Sequence, residues 1–301
     1  MQVNKNVVGL FLIIWVIGIC SVDMAFENMN SVDMAYENIN SVTLNYKEAF
    51  ELFKKAAEQV DSDAQNYSKA VYWYKKAAEQ GDAYAQYNLG VMYAKGRGVT
   101  QNYSKAVEWY RKAAEQGFAD AQFNLGGAYA KGRGVTQSYV KSFKWHKKAA
   151  EQGLVLSQLL LSKMYTLGVG VSKNYSKAFA WTKKAAEQGF VEAQYELGSY
   201  YEGVWAVTQN YSKAVYWYKK AAEQGHPDAH AMLGAMYYAG QSSKSYSNSY
   251  VYFLIAQVLG ARGEGISYLI TDLENNHLSK EEMINAQKIA EEKFKKIESK
   301  K

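Results

Sequence analysis

Apolar residues recur along most of this chain at the spacing of an amphipathic helix. In NYSKAVYWYKKAAEQG, residues 66–81, the apolar positions from Ala70 to Ala78 fall at i, i+3, i+4, i+7 and i+8. This spacing places them on one face of a helix. Asn66 is the predicted N-cap, because its side chain accepts from the open N–H groups of the first turn. Gly81 is the predicted helix end, because glycine takes positive φ at low cost.

A second helix is predicted to begin near Asp82. The residues of its apolar face are Ala85, Leu89, Met92 and Tyr93. Gly90 has no side chain, so the paired helix is predicted to come close there. Gly96 and Gly98 predict the turn that follows. The two helices together form a helical hairpin.

The hairpin recurs at a fixed step of 36 residues. The block KKAAEQ or RKAAEQ starts at Lys75, Arg111, Lys147, Lys183 and Lys219. One hairpin cannot bury its apolar faces alone, so successive hairpins must stack on a shared core. The repeat therefore predicts an all-α fold, an α/α right-handed superhelical solenoid of helix–turn–helix repeats over residues 46–265.

The N-terminal side of the array departs from this step. An earlier KKAAEQ starts at Lys54, and nearly a whole second helix is missing after it. Lys47–Gln59 is therefore predicted to be a first helix without its partner, packed as an incomplete cap. If it is detached, its apolar side becomes a docking surface. Residues 21–45 contain the duplication SVDMAFENMN and SVDMAYENIN and are predicted to be a flexible leader.

The C-terminal segment, residues 266–301, is predicted to form capping helices. Ser279 and Glu282 have the spacing of a capping box. An apolar stripe that could cover the open end of the solenoid follows, made of Met283, Ala286, Ala290, Phe294 and Ile297.

The repeated motif A-x-x-W-Y-x-K-A-A-E-Q-G, followed by A-Q-x-x-L-G-x-x-Y-x-x-G-x-G-V, resembles the Sel1-like repeat, a relative of the tetratricopeptide repeat. The resemblance covers about residues 46–297. It implies a non-enzymatic scaffold or adaptor that binds a protein or peptide in its groove. Some cysteine-rich relatives bind or hydrolyse β-lactams and staple each hairpin with a cysteine pair. This array has no cysteine, and a β-lactam-binding enzyme is the alternative that the resemblance leaves open.

Composition and charge narrow the class of partner. The net charge is +6, and lysines alternate with glutamates through the repeats. A nucleic-acid-binding protein usually clusters its charge, so no nucleic-acid partner is predicted. The lysine pairs are predicted to be solvated, on the face opposite the repeated tryptophans. Those tryptophans are predicted to face the core, and they are Trp73, Trp109, Trp145, Trp181 and Trp217.

The N-terminus predicts the compartment. One cation, Lys5, precedes an apolar run from Val7 to Cys20 that is too short to span a bilayer comfortably. Residues 1–20 are interpreted as a signal peptide, and the protein as exported to a bacterial periplasm or secreted. A retained N-terminal membrane anchor and a lipoprotein attached at Cys20 are the alternatives. Cys20 is the one cysteine, so a disulfide framework within the chain is excluded.

Catalytic and cofactor motifs are missing from the sequence. It has no HExxH, no GxxxxGK[ST] and no GxSxG, so no catalytic residue and no cofactor are predicted. His226 and His230 have the i, i+4 spacing of a metal-binding helix. However, His226 falls at an N-cap position with Pro227 at N1, and no third ligand is apparent. No metal site is predicted.

Candidate partner-binding residues are those that vary while their neighbours repeat. One exposed position of the first helices reads Tyr72, Glu108, Lys144, Ala180 and Tyr216. Contact with a ligand in the groove and neutral drift at the surface explain this variation equally well.

The second helix of the third unit, LVLSQLLLSKMYTLG, carries leucine where other units have polar residues. Leu156, Leu160 and Leu167 are predicted to lie outside the main apolar stripe, on neighbouring faces. An exposed apolar patch there would be a partner site. The alternative is altered packing between units.

Overall fold

A computed structural model describes residues 64–203, 206–241, 243–261 and 265–299. The predictions for the signal peptide, for the leader and for Lys47–Gln59 lie outside these residues. The chain divides into two compact units, Met1–Trp73 and Tyr74–Lys301.

Every regular element in the described part of the chain is an α-helix. The helices are α1 (Ala64–Glu79), α2 (Ala83–Lys95), α3 (Tyr103–Glu115), α4 (Ala119–Lys131), α5 (Tyr139–Glu151), α6 (Val155–Leu167), α7 (Tyr175–Glu187), α8 (Val191–Glu202), α9 (Tyr211–Ala222), α10 (Pro227–Ala239), α11 (Tyr246–Val258), α12 (Gly265–Asn276) and α13 (Lys280–Glu298). First helices of the repeat are odd-numbered up to α11, and second helices are even-numbered up to α10. This order confirms the predicted all-α repeat fold.

Each second helix packs most closely against the first helix that follows it, as α2 does against α3 and α4 against α5. Gly90 shows why. A Cβ atom built on Gly90 would lie 2.6 Å from Cδ1 of Tyr110, which belongs to α3. The predicted close approach at this glycine is confirmed, but the predicted partner was wrong. The aromatic ring that needs the space lies on the following helix.

The first helices begin at side-chain caps. Asn102, Asn174 and Asn210 each accept a hydrogen bond at 2.9 Å from the backbone N–H three residues later. The prediction of Asn66 as an N-cap was wrong, because α1 begins at Ala64. Asn102 follows a turn in which Gly96 and Gly98 have positive φ. No glycine comes before Asn66 in its own unit, so the sequence lacks the turn that would stop the helix there.

The core of the array combines small residues, mostly alanine, with large apolar side chains from both sets of helices. A leucine of each second helix is completely buried: Leu89, Leu125, Leu161, Leu197 and Leu233. The tryptophans predicted to face the core lie at its edge: all five are only partly buried, and Trp145 and Trp217 contact core clusters. The residue directly after the tryptophan is the buried one, as Tyr110 and Tyr218 show. Trp145 of α5 instead packs against a cluster formed by α3 and α4, so it fills the seam between neighbouring units.

A ladder of glutamine side chains joins successive units. Gln122 donates from Nε2 to the backbone oxygen of Ala114 at 3.1 Å. Its Oε1 accepts from Nε2 of Gln152 at 2.8 Å. The same pair of bonds is repeated at Gln86, Gln158 and Gln194. This role is not evident from the sequence alone, although one glutamine in each of two motifs recurs through the array.

Replacing Gln122 by leucine is expected to lower the free energy of unfolding by about 1–3 kcal/mol. The buried carbonyl of Ala114 would lose its donor, and the amide of Gln152 would lose its acceptor. Urea denaturation measures the loss. Gln122→His is the matched control, since His230 places Nε2 3.0 Å from the equivalent carbonyl of Ala222. Equal losses in both variants would attribute the effect to side-chain shape instead of to the hydrogen bond.

The last three helices form one apolar cluster. Phe253 of α11, Leu273 of α12 and Ile297 of α13 are buried in it. The predicted capping box is confirmed: Glu282 accepts from the Ser279 N–H at 2.9 Å, and Ser279 accepts from the Glu282 N–H at 3.3 Å. Within the cluster, α13 packs on α11.

Candidate protein-binding surfaces

The variable position of the first helices is exposed in each repeat that the structure describes. Glu108, Lys144 and Tyr216 are exposed in the second compact unit, with Tyr216 at 54%. Tyr72, at 53%, belongs to the first unit. The helical spacing places each of these residues in the middle of a wider exposed face that carries cations at fixed positions. On α5 that face contains Lys141, Lys144, Lys147 and Lys148.

The cations of this face are held in defined places. Lys112, Lys148 and Lys184 each lie over the ring of the tryptophan three residues earlier, with the ammonium 4.1–4.6 Å from the ring centroid. The prediction that the lysine pairs lie opposite the tryptophans was therefore wrong. A tryptophan at the seam is half-exposed, so the lysine one turn on can cover its ring.

On α5 and α7, the first lysine of the pair makes an ion pair along the helix instead. Lys147 and Glu151 are 3.6 Å apart, and Lys183 and Glu187 are 3.7 Å apart. Both pairs are about half-exposed, so each contributes little to stability. Their effect is to fix where the charges stand on the surface.

A third lysine contacts the preceding second helix. Each of these ammonium groups lies 5.2–5.6 Å from the centroid of a tyrosine ring twelve residues earlier. The pairs are Lys105 with Tyr93, Lys141 with Tyr129, Lys177 with Tyr165 and Lys213 with Tyr201. We call the exposed surface of α3, α5, α7 and α9 the first-helix face. Its cations form an ordered pattern, which the sequence analysis interpreted only as a solvated surface.

The three leucines of α6 lie on one stripe. Their spacing, i, i+4 and i+11, keeps them within one narrow sector of the helix, so the prediction of neighbouring faces was wrong. Leu156 is 47% and Leu167 is 64% exposed, whereas Leu160 is half-buried. We call Leu156, Leu160 and Leu167 the leucine stripe. It is about 16 Å long at the helical rise.

A cleft opens beside the end of this stripe, with a volume of about 470 Å³. It lies between α6, α8 and the start of α7. Its lining includes Ser162, Thr166, Leu167, Tyr175, Tyr195 and Tyr200. The hydroxyl oxygens of Thr166 and Tyr200 are 3.3 Å apart across it. Desolvation raises the pKa of Glu196 in its wall, and the nearby Lys163 opposes that shift.

The two histidines with metal-binding spacing have structural contacts. Nδ1 of His226 accepts from the Ala229 N–H at 3.3 Å, and Pro227 occupies the first turn of α10, as predicted. His226 also stacks on the ring of Tyr195 at 4.6 Å. His230 is buried against the carbonyl of Ala222. Within the described residues, no three histidine, cysteine or acidic side chains are grouped as metal ligands.

The comparison with protein families identifies the repeat. Seven segments match the model described as Sel1 repeat, and they are residues 34–61, 63–82, 83–118, 119–154, 155–190, 191–226 and 227–256. These segments cover more than half of the chain, so the chain belongs to the Sel1 repeat family. Each 36-residue match pairs a second helix with the first helix that follows it, as the packing does. Sel1 repeat proteins generally mediate protein–protein interactions, and the family is typically non-enzymatic.

Three solved structures illustrate what the chain is similar to. A Sel1 repeat protein from Oxalobacter formigenes is 28% identical with a TM-score of 0.61, over 82% of this chain and 97% of that chain. A protective antigen of uropathogenic Escherichia coli with an SLR fold is 29% identical, with a TM-score of 0.47, over 94% and 72%. An immunity protein from Pseudomonas aeruginosa is 23% identical, with a TM-score of 0.40, over 79% and 94%. The fold assignment rests on the first of these.

No curated protein matches the sequence significantly. Among the described helices, none has both the length and the apolar character needed to cross a membrane.

Proposed function

We propose that this chain is an exported, non-enzymatic scaffold that binds a protein partner through the surface of its solenoid. Membership of the Sel1 repeat family supports the general role. The observation that carries the proposal for this chain is the leucine stripe. Two large apolar side chains stand in solvent on α6, where the equivalent positions of α4 are Asp120 and Lys131.

The chemistry of the stripe suits an apolar partner. Exposure of a leucine side chain to water is unfavourable, and covering it with another apolar surface is favourable. A stripe about 16 Å long matches roughly three turns of a partner helix. The adjacent cleft offers tyrosine rings and hydroxyl groups for the rim of such a contact. The partner that fits is a protein segment with an amphipathic helix.

The export proposal rests on the N-terminal sequence. Lys5 and the apolar run from Val7 to Cys20 have the composition of a secretory signal. Fractionation of the producing cell, followed by N-terminal sequencing of the mature protein, tests this. A mature chain that begins after Cys20 supports export with cleavage. A chain that keeps residues 7–20 supports a membrane-anchored scaffold.

Partner binding is tested by crosslinking in the native compartment with quantitative mass spectrometry. In the double variant Leu156→Asp and Leu160→Asp, the principal crosslinked partner is expected to fall at least about tenfold, since charges in a hydrophobic contact cost several kcal/mol. Val258→Asp is the control, because Val258 is 66% exposed and lies on α11. Retention of every partner by the double variant would remove the leucine stripe from the proposal.

A further inference from the structure

The charge of the array is divided between its two sets of helices. The helices α3, α5, α7 and α9 contain thirteen Lys or Arg and four Glu, an excess of nine positive charges. The helices α2, α4, α6, α8 and α10 contain three Lys and five Asp or Glu. The net charge of the whole chain, +6, therefore understates the positive charge of the first helices.

The positive charges share one side of their helices. Lys177, Lys183 and Lys184 of α7 are all exposed and lie within about a third of the helix circumference. Cations occupy the same three positions on α3, α5 and α9, and α5 adds Lys144. Trp217 of α9 packs against the cluster formed by α7 and α8, and this contact links successive first helices. The repeat thus places rows of cations on one surface.

The rows continue at the C-terminal end of the array. Lys219 lies 5.8 Å from the ring centroid of Tyr237, and Lys293 of α13 lies 5.0 Å from that of Tyr252. The two tyrosine rings stack with centroids 5.7 Å apart and planes 3° apart. This stack brings a cation of the last helix beside the cations of α9. Desolvation, followed by repulsion from Lys219, lowers the pKa of Lys293.

We propose that the first-helix face, extended by Lys293, binds an acidic segment of a protein partner. The inference rests on the proposed scaffold function and names the chemistry of its partner. Ring contacts hold the ammonium groups in place, so a carboxylate-rich chain would meet a preorganised surface. The half-exposed tryptophans between the rows supply apolar contact for side chains between the carboxylates.

A protein segment fits this face better than a nucleic acid does. Glu108, Glu115, Glu151 and Glu187 stand among the cations of the first-helix face. A phosphate backbone carries a charge at every nucleotide and would meet these carboxylates repeatedly. A peptide can place apolar residues opposite them. An extended segment of about ten residues is about 33 Å long, which is enough to cross several helices of the array.

The test is binding of a fluorescent peptide of about 12 residues with glutamate at alternate positions and leucine or serine between. Fluorescence anisotropy with the full chain gives the Kd. The parent protein is expected to bind, and the Kd is expected to rise roughly tenfold between low and physiological salt. The variant Lys144→Glu, Lys183→Glu, Lys293→Glu is expected to bind at least about tenfold more weakly.

The control carries the same change in net charge away from the face: Lys95→Glu, Lys131→Glu, Lys288→Glu. It is expected to bind within about twofold of the parent, because its substitutions lie away from the first-helix face and screening by salt limits their effect on the field there. The corresponding Lys→Gln triple variants are measured as well, so that a fold defect in one charge-reversal variant does not decide the result.

Three outcomes would overturn the inference. They are no peptide binding at low salt, equal losses in the face and control variants, and displacement of the peptide by an equally charged single-stranded oligonucleotide at lower concentration. The last outcome would assign the face to nucleic acid. None of these outcomes changes the crosslinking result expected for Leu156→Asp and Leu160→Asp. Failure of this inference can therefore be distinguished from failure of the scaffold function.

Discussion

Acidification from pH 8 to pH 4 is expected to lower the free energy of unfolding by about 3 kcal/mol at each of two buried histidines, His146 and His230. Both are 3% exposed. Burial lowers the pKa of each from 6.5 to about 4. The unfolded chain takes up these protons as the pH falls below about 6.5, but the folded chain does not do so until about pH 4. Stability is therefore present at neutral pH and is lost through this window.

Two variants isolate this effect. The carboxylates titrate alike in variant and parent, so they cancel when the two free energies of unfolding are subtracted at each pH. His146→Phe copies Phe253, which occupies the equivalent buried place over Gly234. His230→Gln copies the glutamine ladder of the other units. Each variant is expected to remove about 3 kcal/mol of the acid-induced loss, measured by urea denaturation at a series of pH values. Parallel stability-versus-pH curves for parent and variants would contradict the assignment.

Gly126→Ala is expected to destabilise the protein by about 1–3 kcal/mol, whereas Gly127→Ala is expected to stabilise it by about 0.5–1 kcal/mol. The two glycines are adjacent in α4. A Cβ atom on Gly126 would lie 2.8 Å from Cε1 of His146, and a Cβ atom on Gly127 would meet no described atom within 4 Å. At Gly127 only the helix-forming advantage of alanine remains. Thermal unfolding of both variants measures the difference.

The chain contains a natural compensation that sharpens this test. At the equivalent interface of α6 and α7, the glycine is replaced by Ser162 and the facing aromatic residue by Thr182. Their hydroxyl oxygens are 2.7 Å apart in a buried contact. Gly126→Ser alone is expected to destabilise α4, and adding His146→Thr is expected to recover at least half of the loss. If the two losses simply add, the close contact between Gly126 and His146 is not their cause.

The periodic residues made the fold predictable from sequence. The 36-residue step, the apolar spacing within each helix and the capping residues act locally, so each can be recognised in the sequence. Asn66 shows the limit of local chemistry. It has the same neighbours as Asn102 on its C-terminal side, yet it lies inside α1 because the turn before it is missing.

The candidate surfaces were less predictable, because a helical face was assigned without knowing its neighbours. The tryptophans are apolar and recur in phase, which predicts a core position. In the structure they are only partly buried, Trp145 and Trp217 pack at the seam between units, and lysines cover the rings of Trp109, Trp145 and Trp181. The lysines themselves were interpreted as a solvated surface, because their alignment across several helices cannot be recognised from the sequence of one helix.

The sequence by itself determined the repeat, the family and most of the helices, since these depend on contacts between residues close in the chain. Only the tertiary structure decided which helix packs an aromatic ring against Gly90, which carbonyl accepts a hydrogen bond from Gln122, and on which surface the cations lie. Those contacts join residues in different helices, from 8 positions apart for Gln122 and Ala114 to 30 for Gln122 and Gln152. Each unit buries its second helix against the next unit, so the chemistry of a face is set by the neighbour that covers it.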